Sequence, residues 1–141
     1  MRRRLSERGQ TAVEFALVIP IMLMFVFGIF EVGRVYFNSV TLSSAARDGA
    51  RAAAIHTGST PTQIVAFAKA AVIANSPGID TSTTGPLSIT VTCVDNPQAV
   101  NGVLWEQGDM VVVTVTYPWS LGIPRFAATG TLTTTTKLRM E

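Results

Sequence analysis

Sixteen consecutive residues without a charge, Phe15 to Phe30, constrain this 141-residue chain more than anything else in it. Glu14 and Glu31 bracket them. As a helix they extend about 24 Å, somewhat short of a hydrocarbon core of about 30 Å. Ala12, Val13, Val32 and Val35 lengthen the apolar stretch, and Arg34 can snorkel to an interface. The stretch therefore reads as one transmembrane helix over residues 10–35. Pro20 lies inside it and removes one backbone hydrogen bond, a loss that membrane helices tolerate better than soluble ones.

The charge distribution orients that helix. Residues 1–9 carry four arginines against Glu7, a local charge of +3. The remaining residues carry seven basic and eight acidic side chains, so the formal charge of +2 belongs to a short arm. A nucleic-acid-binding face needs cations clustered on the folded part, and no such partner is expected. An arginine arm before an apolar helix instead predicts a cytoplasmic N-terminus and an extracytoplasmic domain over residues 36–141. A cleaved secretory signal is the rival reading. Its apolar region is usually about 7–15 residues, and "EVGRVYF" after Phe30 offers no small-x-small cleavage site.

Beyond the apolar stretch, residues 32–56 continue a helix. Ala45, Gly49 and Ala53 recur every four residues, as do Ala46, Ala50 and Ala54, a stripe that lets another element approach closely. Glu31 with Arg34, and Asp48 with Arg51, have the i,i+3 spacing for pairing. "HTGSTP" breaks the helix. Thr60, Pro61 and Gln63 then spell an N-cap, a first-turn proline and a capping box. Ile64, Phe67, Ala68, Ala71 and Val72 form the apolar stripe of this second helix, and "NSPG" ends it.

From Leu87 the apolar period becomes two. Leu87, Ile89, Val91 and Cys93 share one face, and Ser88, Thr90 and Thr92 the other. "MVVVTVTYPW" from Met110 and "GTLTTTTKLRM" from Gly130 are two more strand candidates. The fold class is α+β: a long N-terminal helix, a short second helix, then a small antiparallel sheet of about three strands. The outward half of the long helix is placed to cover one face of that sheet.

Little here suggests catalysis. His56, the lone histidine, sits at a helix end, where the dipole favours it. Cys93, the lone cysteine, falls on an apolar strand face and reads as a buried small hydrophobe. No Cys/His pair has metal-ligand spacing. Asp95, Asn96 and Asp109 flank strands, and turn chemistry accounts for them as well as calcium does. No cofactor, metal or enzymatic activity is expected.

Glu14 is the anomaly, a carboxylate at the front edge of an apolar helix. The run "RRRLSERGQTAVEF" resembles the leader of type IV prepilin-like proteins, in which a peptidase cuts after a glycine on the cytoplasmic side. That resemblance assigns a basic leader to residues 1–9, processing between Gly9 and Gln10, and an assembly role to Glu14. Phe15 stands where the Flp pilin branch commonly has tyrosine. Gln10 departs from the Phe or Met found at the new N-terminus of other type IV pilins. Over about the first 55 residues, "RGQTAVEFALVIPIML", "GIFEVGRVYF" and "AARDGARAAA" together resemble the TadE-like proteins of tight-adherence (Tad, or Flp) pilus systems. The resemblance implies a minor pilin or pseudopilin of the bacterial inner membrane. Its partners would be a prepilin peptidase, other pilin-like subunits and the Tad assembly platform. The alternative is an uncleaved, signal-anchored extracytoplasmic binding or scaffold protein.

Overall fold

A computed structural model describes residues 3–56, 59–82, 85–94, 105, 107–123 and 126–141. Helix α1 (Arg3–Ala54) is continuous for 52 residues and includes Pro20. At 1.5 Å per residue it is about 78 Å long, far more than a 141-residue domain can cover. Only its C-terminal part enters the core. Leu42, Ala45, Ala46, Ala50 and Ala53 are fully buried there.

Helix α2 (Pro61–Ala74) starts where the sequence predicts. Thr60 is the N-cap, its hydroxyl accepts from the Gln63 amide, and the Gln63 side chain accepts from the Thr60 N–H, closing the capping box. At the other end the Asn75 N–H and side chain both donate to the Ala71 carbonyl. The Ser76 hydroxyl donates to Val72 at 2.6 Å. These bonds satisfy carbonyls that a helix end leaves without partners.

Along α2 the buried positions are Pro61, Ile64, Ala68 and Val72, a narrower stripe than the apolar pattern predicts. Phe67 is 41% exposed and stacks on the His56 ring at 4.0 Å. The cause is the partner surface. α2 rests on the small-residue stripe of α1, and at Gly49 the approach is so close that a Cβ would lie 2.5 Å from Val72 Cγ2. Contact this close seats only the centre of the stripe and leaves its flanks in the open.

The sheet is antiparallel in the order β1 (Ser88–Cys93), β2 (Met110–Ile123), β3 (Phe126–Arg139). Val91 pairs with Val113 and Val113 with Thr136, which fixes the register of all three strands. One face carries Ile89, Val91 and Cys93 beside Val111, Val113 and Val115, and packs on α1 and α2. The other is rich in threonine, with a hydroxyl contact of 3.2 Å between Thr114 and Thr135. The expected alternation in β1 is present, and Cys93 is buried. β2 and β3 run further than their sequence patterns suggest. β1 begins at Ser88 opposite Thr116, so the later part of β2 pairs with β3 alone. Pro118 falls in that later part, at the edge position where a strand tolerates a missing donor.

Candidate functional site

The feature that sets this molecule apart is the half of α1 that its own domain leaves uncovered. Phe15, Leu17, Phe25, Ile29 and Phe30 are each 65–74% exposed. The helix is long and apolar enough to cross a membrane, and none of its most apolar window is buried. Exposed apolar surface on this scale is stable only against lipid or another protein.

At the front of this stretch, Gly9, Gln10 and Glu14 are all exposed. They lie within the continuous helix, so the Gly9–Gln10 bond is held in helical geometry. A Cβ at Gly9 would meet nothing within 4 Å. Gln10 and Glu14 are one turn apart, and the Gln10 side-chain amide donates to Glu14 Oε1 at 3.4 Å. Gln10 and Glu14 thus share one face of α1, and Gly9 lies about 100° round the helix from Gln10.

At the far end, Glu31 and Arg34 form a salt bridge of 2.8 Å. Asp48 and Arg51, equally spaced, do not pair with each other. They instead border a groove of about 570 Å³ between the C-terminal end of α1 and β3, together with Arg47, Lys137, Arg139 and Glu141. Arg34 makes a second bond, to the Ser120 carbonyl at 3.0 Å. This tie between the helix and the β2–β3 hairpin has no signal in the sequence, because the two residues are 86 positions apart. Between the two ends, Gly28 and Gly33 open a shallow apolar groove of about 600 Å³ flanked by Phe25, Ile29, Val32 and Tyr36. Glycines at such positions let a second helix come near.

Other sequence candidates have ordinary roles. The His56 imidazole Nδ1 lies 2.7 Å from the Ala52 carbonyl, in the last turn of α1. Asp95 and Asn96 lie outside the described residues, and Asp109 immediately precedes β2. Among the described residues, no three His, Cys, Asp or Glu side chains are gathered as a metal site would need. The Asp80 carboxyl, fully exposed, is held below the usual carboxylate range by hydrogen bonds from the Ser82 hydroxyl and then the Ser82 amide.

Fold and site together define a class: a small α+β domain carried on one long helix whose N-terminal half is apolar, bare and of membrane-crossing length. Residues 9–51 match the family model of the TadE-like proteins, the family that the N-terminal residues resemble. The match begins at Gly9 and lies wholly within α1. No curated protein and no solved structure matches the chain.

Proposed function

We propose that this chain is a minor pilin or pseudopilin of a Tad pilus system, a structural subunit and not an enzyme. In this reading α1 crosses the inner membrane with its arginine arm in the cytoplasm and the α+β domain outside. A prepilin peptidase removes residues 1–9, and the mature subunit joins other pilin-like subunits at the assembly platform. The observation that carries the reading is the position of the TadE-like match. It falls on the helix whose apolar half the domain leaves bare, and it opens at Gly9 with Glu14 five residues on.

The chemistry of Glu14 fits that sequence of events. Cleavage creates a positive α-amine at Gln10, one helical turn from the Glu14 carboxylate. A carboxylate one turn into the new helix is also near the positive end of the dipole. Either the subunit's own amine or a neighbour's offsets the cost of a carboxylate near hydrocarbon, about 2.5–3.5 kcal/mol at the centre and less at the edge.

Mass spectrometry of the membrane-extracted protein tests the processing step. A mature N-terminus at Gln10 supports it, and Gly9→Val should leave the leader attached. A Cβ at Gly9 meets nothing within 4 Å, so the change leaves the packing of the domain undisturbed. A mutant still trimmed to Gln10 contradicts the assignment. One observation favours the uncleaved-anchor reading: α1 runs unbroken through the Gly9–Gln10 bond, so cleavage requires local unwinding there. An intact Met1 N-terminus in the wild-type protein from its native host would select that alternative.

A further inference from the structure

The alternation of backbone groups along β3 shows where its open edge faces. In an antiparallel ladder one residue turns both its N–H and its C=O to one neighbouring strand, and the next residue turns both to the other side. The Val94 N–H donates to the Met110 carbonyl, so Met110 faces β1. The Met140 N–H donates to the Asp109 carbonyl, so these two face each other, and by alternation so do Val111 with Leu138 and Val113 with Thr136. The backbone groups of Lys137 and Arg139 therefore point away from β2. Glu141 follows in the same phase, and its N–H donates to the Ala54 carbonyl at the end of α1, at 3.4 Å. The open edge of β3 thus looks toward the last turns of α1, across the groove of about 570 Å³ between them.

That groove collects charge. Of the six lysines and arginines in residues 36–141, four line it: Arg47 and Arg51 from α1, Lys137 and Arg139 from β3. Asp48 and Glu141 also border it, which leaves the cations in twofold excess. Arg139 Nε donates to the Gly108 carbonyl at 3.0 Å. Among the described residues, the side chains of Arg47, Arg51 and Lys137 make no hydrogen bond or ion pair. All three are exposed. α1 and the sheet have nearly parallel axes, since Gly49 lies beside Val113 and Arg34 beside Ser120, about 23 Å apart along either element. Arg47 and Arg51 are separated by about 6 Å along that common direction, and alternate residues of a strand by about 6.8 Å.

We propose that this groove receives an extended acidic segment of a partner protein, which adds to the edge of β3 as a further strand and turns alternate carboxylates to Arg47 and Arg51. Two independent features define it. The outward backbone groups of Lys137 and Arg139 fit another strand, the means by which sheets take up peptides at an edge. The cations decide which strand. Charged side chains on an edge normally keep other strands away. Here a second element adds to that charge, so the edge admits a strand only when the strand brings carboxylates. A second copy of this chain does not meet that condition through its own β3, which contains no acidic residue. On the reading of α1 as a membrane helix, an anionic lipid headgroup is out of reach, because Arg51 stands about 26 Å along the helix from Arg34. The proposal stands on the folded domain and holds whether or not the chain is processed at Gly9.

The test uses the full chain in mild detergent and a capped synthetic peptide of alternating glutamate and threonine. Two control peptides carry glutamine in place of glutamate, or N-methyl groups on the backbone amides. Fluorescence anisotropy of the labelled peptide gives the affinity, and amide hydrogen exchange read by NMR locates the contact. The expected result is saturable binding with slowed exchange at the Lys137 and Arg139 amides, while Thr136 and Leu138, already facing β2, are unchanged. Arg47→Ala together with Arg51→Ala should weaken binding about tenfold, since each exposed pair contributes little alone. Both side chains are exposed, so the core is untouched by the change. Both control peptides should lose most of the affinity. Undiminished binding of the N-methylated peptide, or binding without slowed exchange at Lys137 and Arg139, means a surface for anions in general and overturns strand addition. Equal binding of the glutamine peptide, or no effect of the double substitution, overturns the part given to the cations. No saturable binding at millimolar peptide overturns the whole proposal. None of these results bears on the processing step, which mass spectrometry reads separately.

Discussion

Replacing Gly49 with alanine adds one methyl group at the point where α1 and α2 come closest. In an open helix this change stabilises by about 1 kcal/mol, because glycine carries the larger conformational entropy. Here the methyl carbon would sit 2.5 Å from Val72 Cγ2 and 3.1 Å from the Ala68 carbonyl oxygen. Val72 is β-branched and fully buried, so it has one favourable rotamer and no space for another. The Ala68 oxygen moves only if α2 moves. Overpacking of this kind costs about 1–3 kcal/mol, and the two rigid neighbours put Gly49 in the upper part of that range. The expected net loss is about 1–2 kcal/mol, a fall in Tm of about 5–15 °C for a folded part of roughly 100 residues. Thermal melting of the full chain in mild detergent, followed by tryptophan fluorescence, reads it. Gly28→Ala and Gly33→Ala are controls on the same helix, since a Cβ at either meets nothing within 4 Å; neither should lower Tm. Val72→Ala should cost less in the Gly49→Ala background than in wild type, because the two sites share one contact. If Gly49→Ala melts at or above the wild-type temperature, helix propensity wins and the close approach of α1 and α2 is not real.

Glu14→Asp keeps the charge with a shorter reach, and Glu14→Gln keeps the size without the charge. Asp should support pilus formation better than Gln, counted by electron microscopy, while both are still trimmed at Gly9; normal piliation with Gln means that the charge is idle. Thr60→Ala removes the N-cap hydroxyl and should cost about 1 kcal/mol, visible as a lower denaturant midpoint at unchanged slope. Ser82→Ala should raise the titration midpoint of Asp80 toward the ordinary value of 3.8, measured by carboxyl-resolved NMR. The sign follows from a carboxyl whose folded-state pKa is depressed. Its stabilising contribution is present above the ordinary value and fades as pH falls through the lower, folded one, and Ser82→Ala should shrink that acid-side dependence.

Much of this fold is legible because its signals are local. The capping box at Thr60 and Gln63 spans four residues, and the alternation from Leu87 to Cys93 needs only six or seven, so both are readable without tertiary knowledge. The small-residue stripe from Ala45 to Ala54 announces a close neighbour, and α2 is that neighbour. What the pattern does not carry is how wide the contact is. Phe67 belongs to the apolar wheel of α2 and lies outside its buried centre, because the width depends on the shape of α1. The hairpin end is illegible for a related reason. "SLGIPRFAA" has no period of two, and the strands on either side of its turn persist because they pair with each other. At the candidate site, the spacing of Gly9, Gln10 and Glu14 is visible in the sequence. The tie from Arg34 to Ser120 joins residues too far apart for any pattern to connect.

The continuity of α1 also has a mechanical consequence. The same helix that bears the bare apolar half forms a wall of the domain core, with no linker between the two. Its backbone hydrogen bonds make it a stiff shaft, so the domain cannot swivel on its anchor. Any rotation or lift of the apolar half is delivered to the sheet at full amplitude. Each residue added between Arg34 and Leu42 would turn the domain by about 100° and raise it by about 1.5 Å, out of phase with whatever the apolar half grips. Chain length in this stretch therefore acts as a gear setting. A single deletion there keeps every side chain of both halves and still presents the wrong face of the domain to its surroundings.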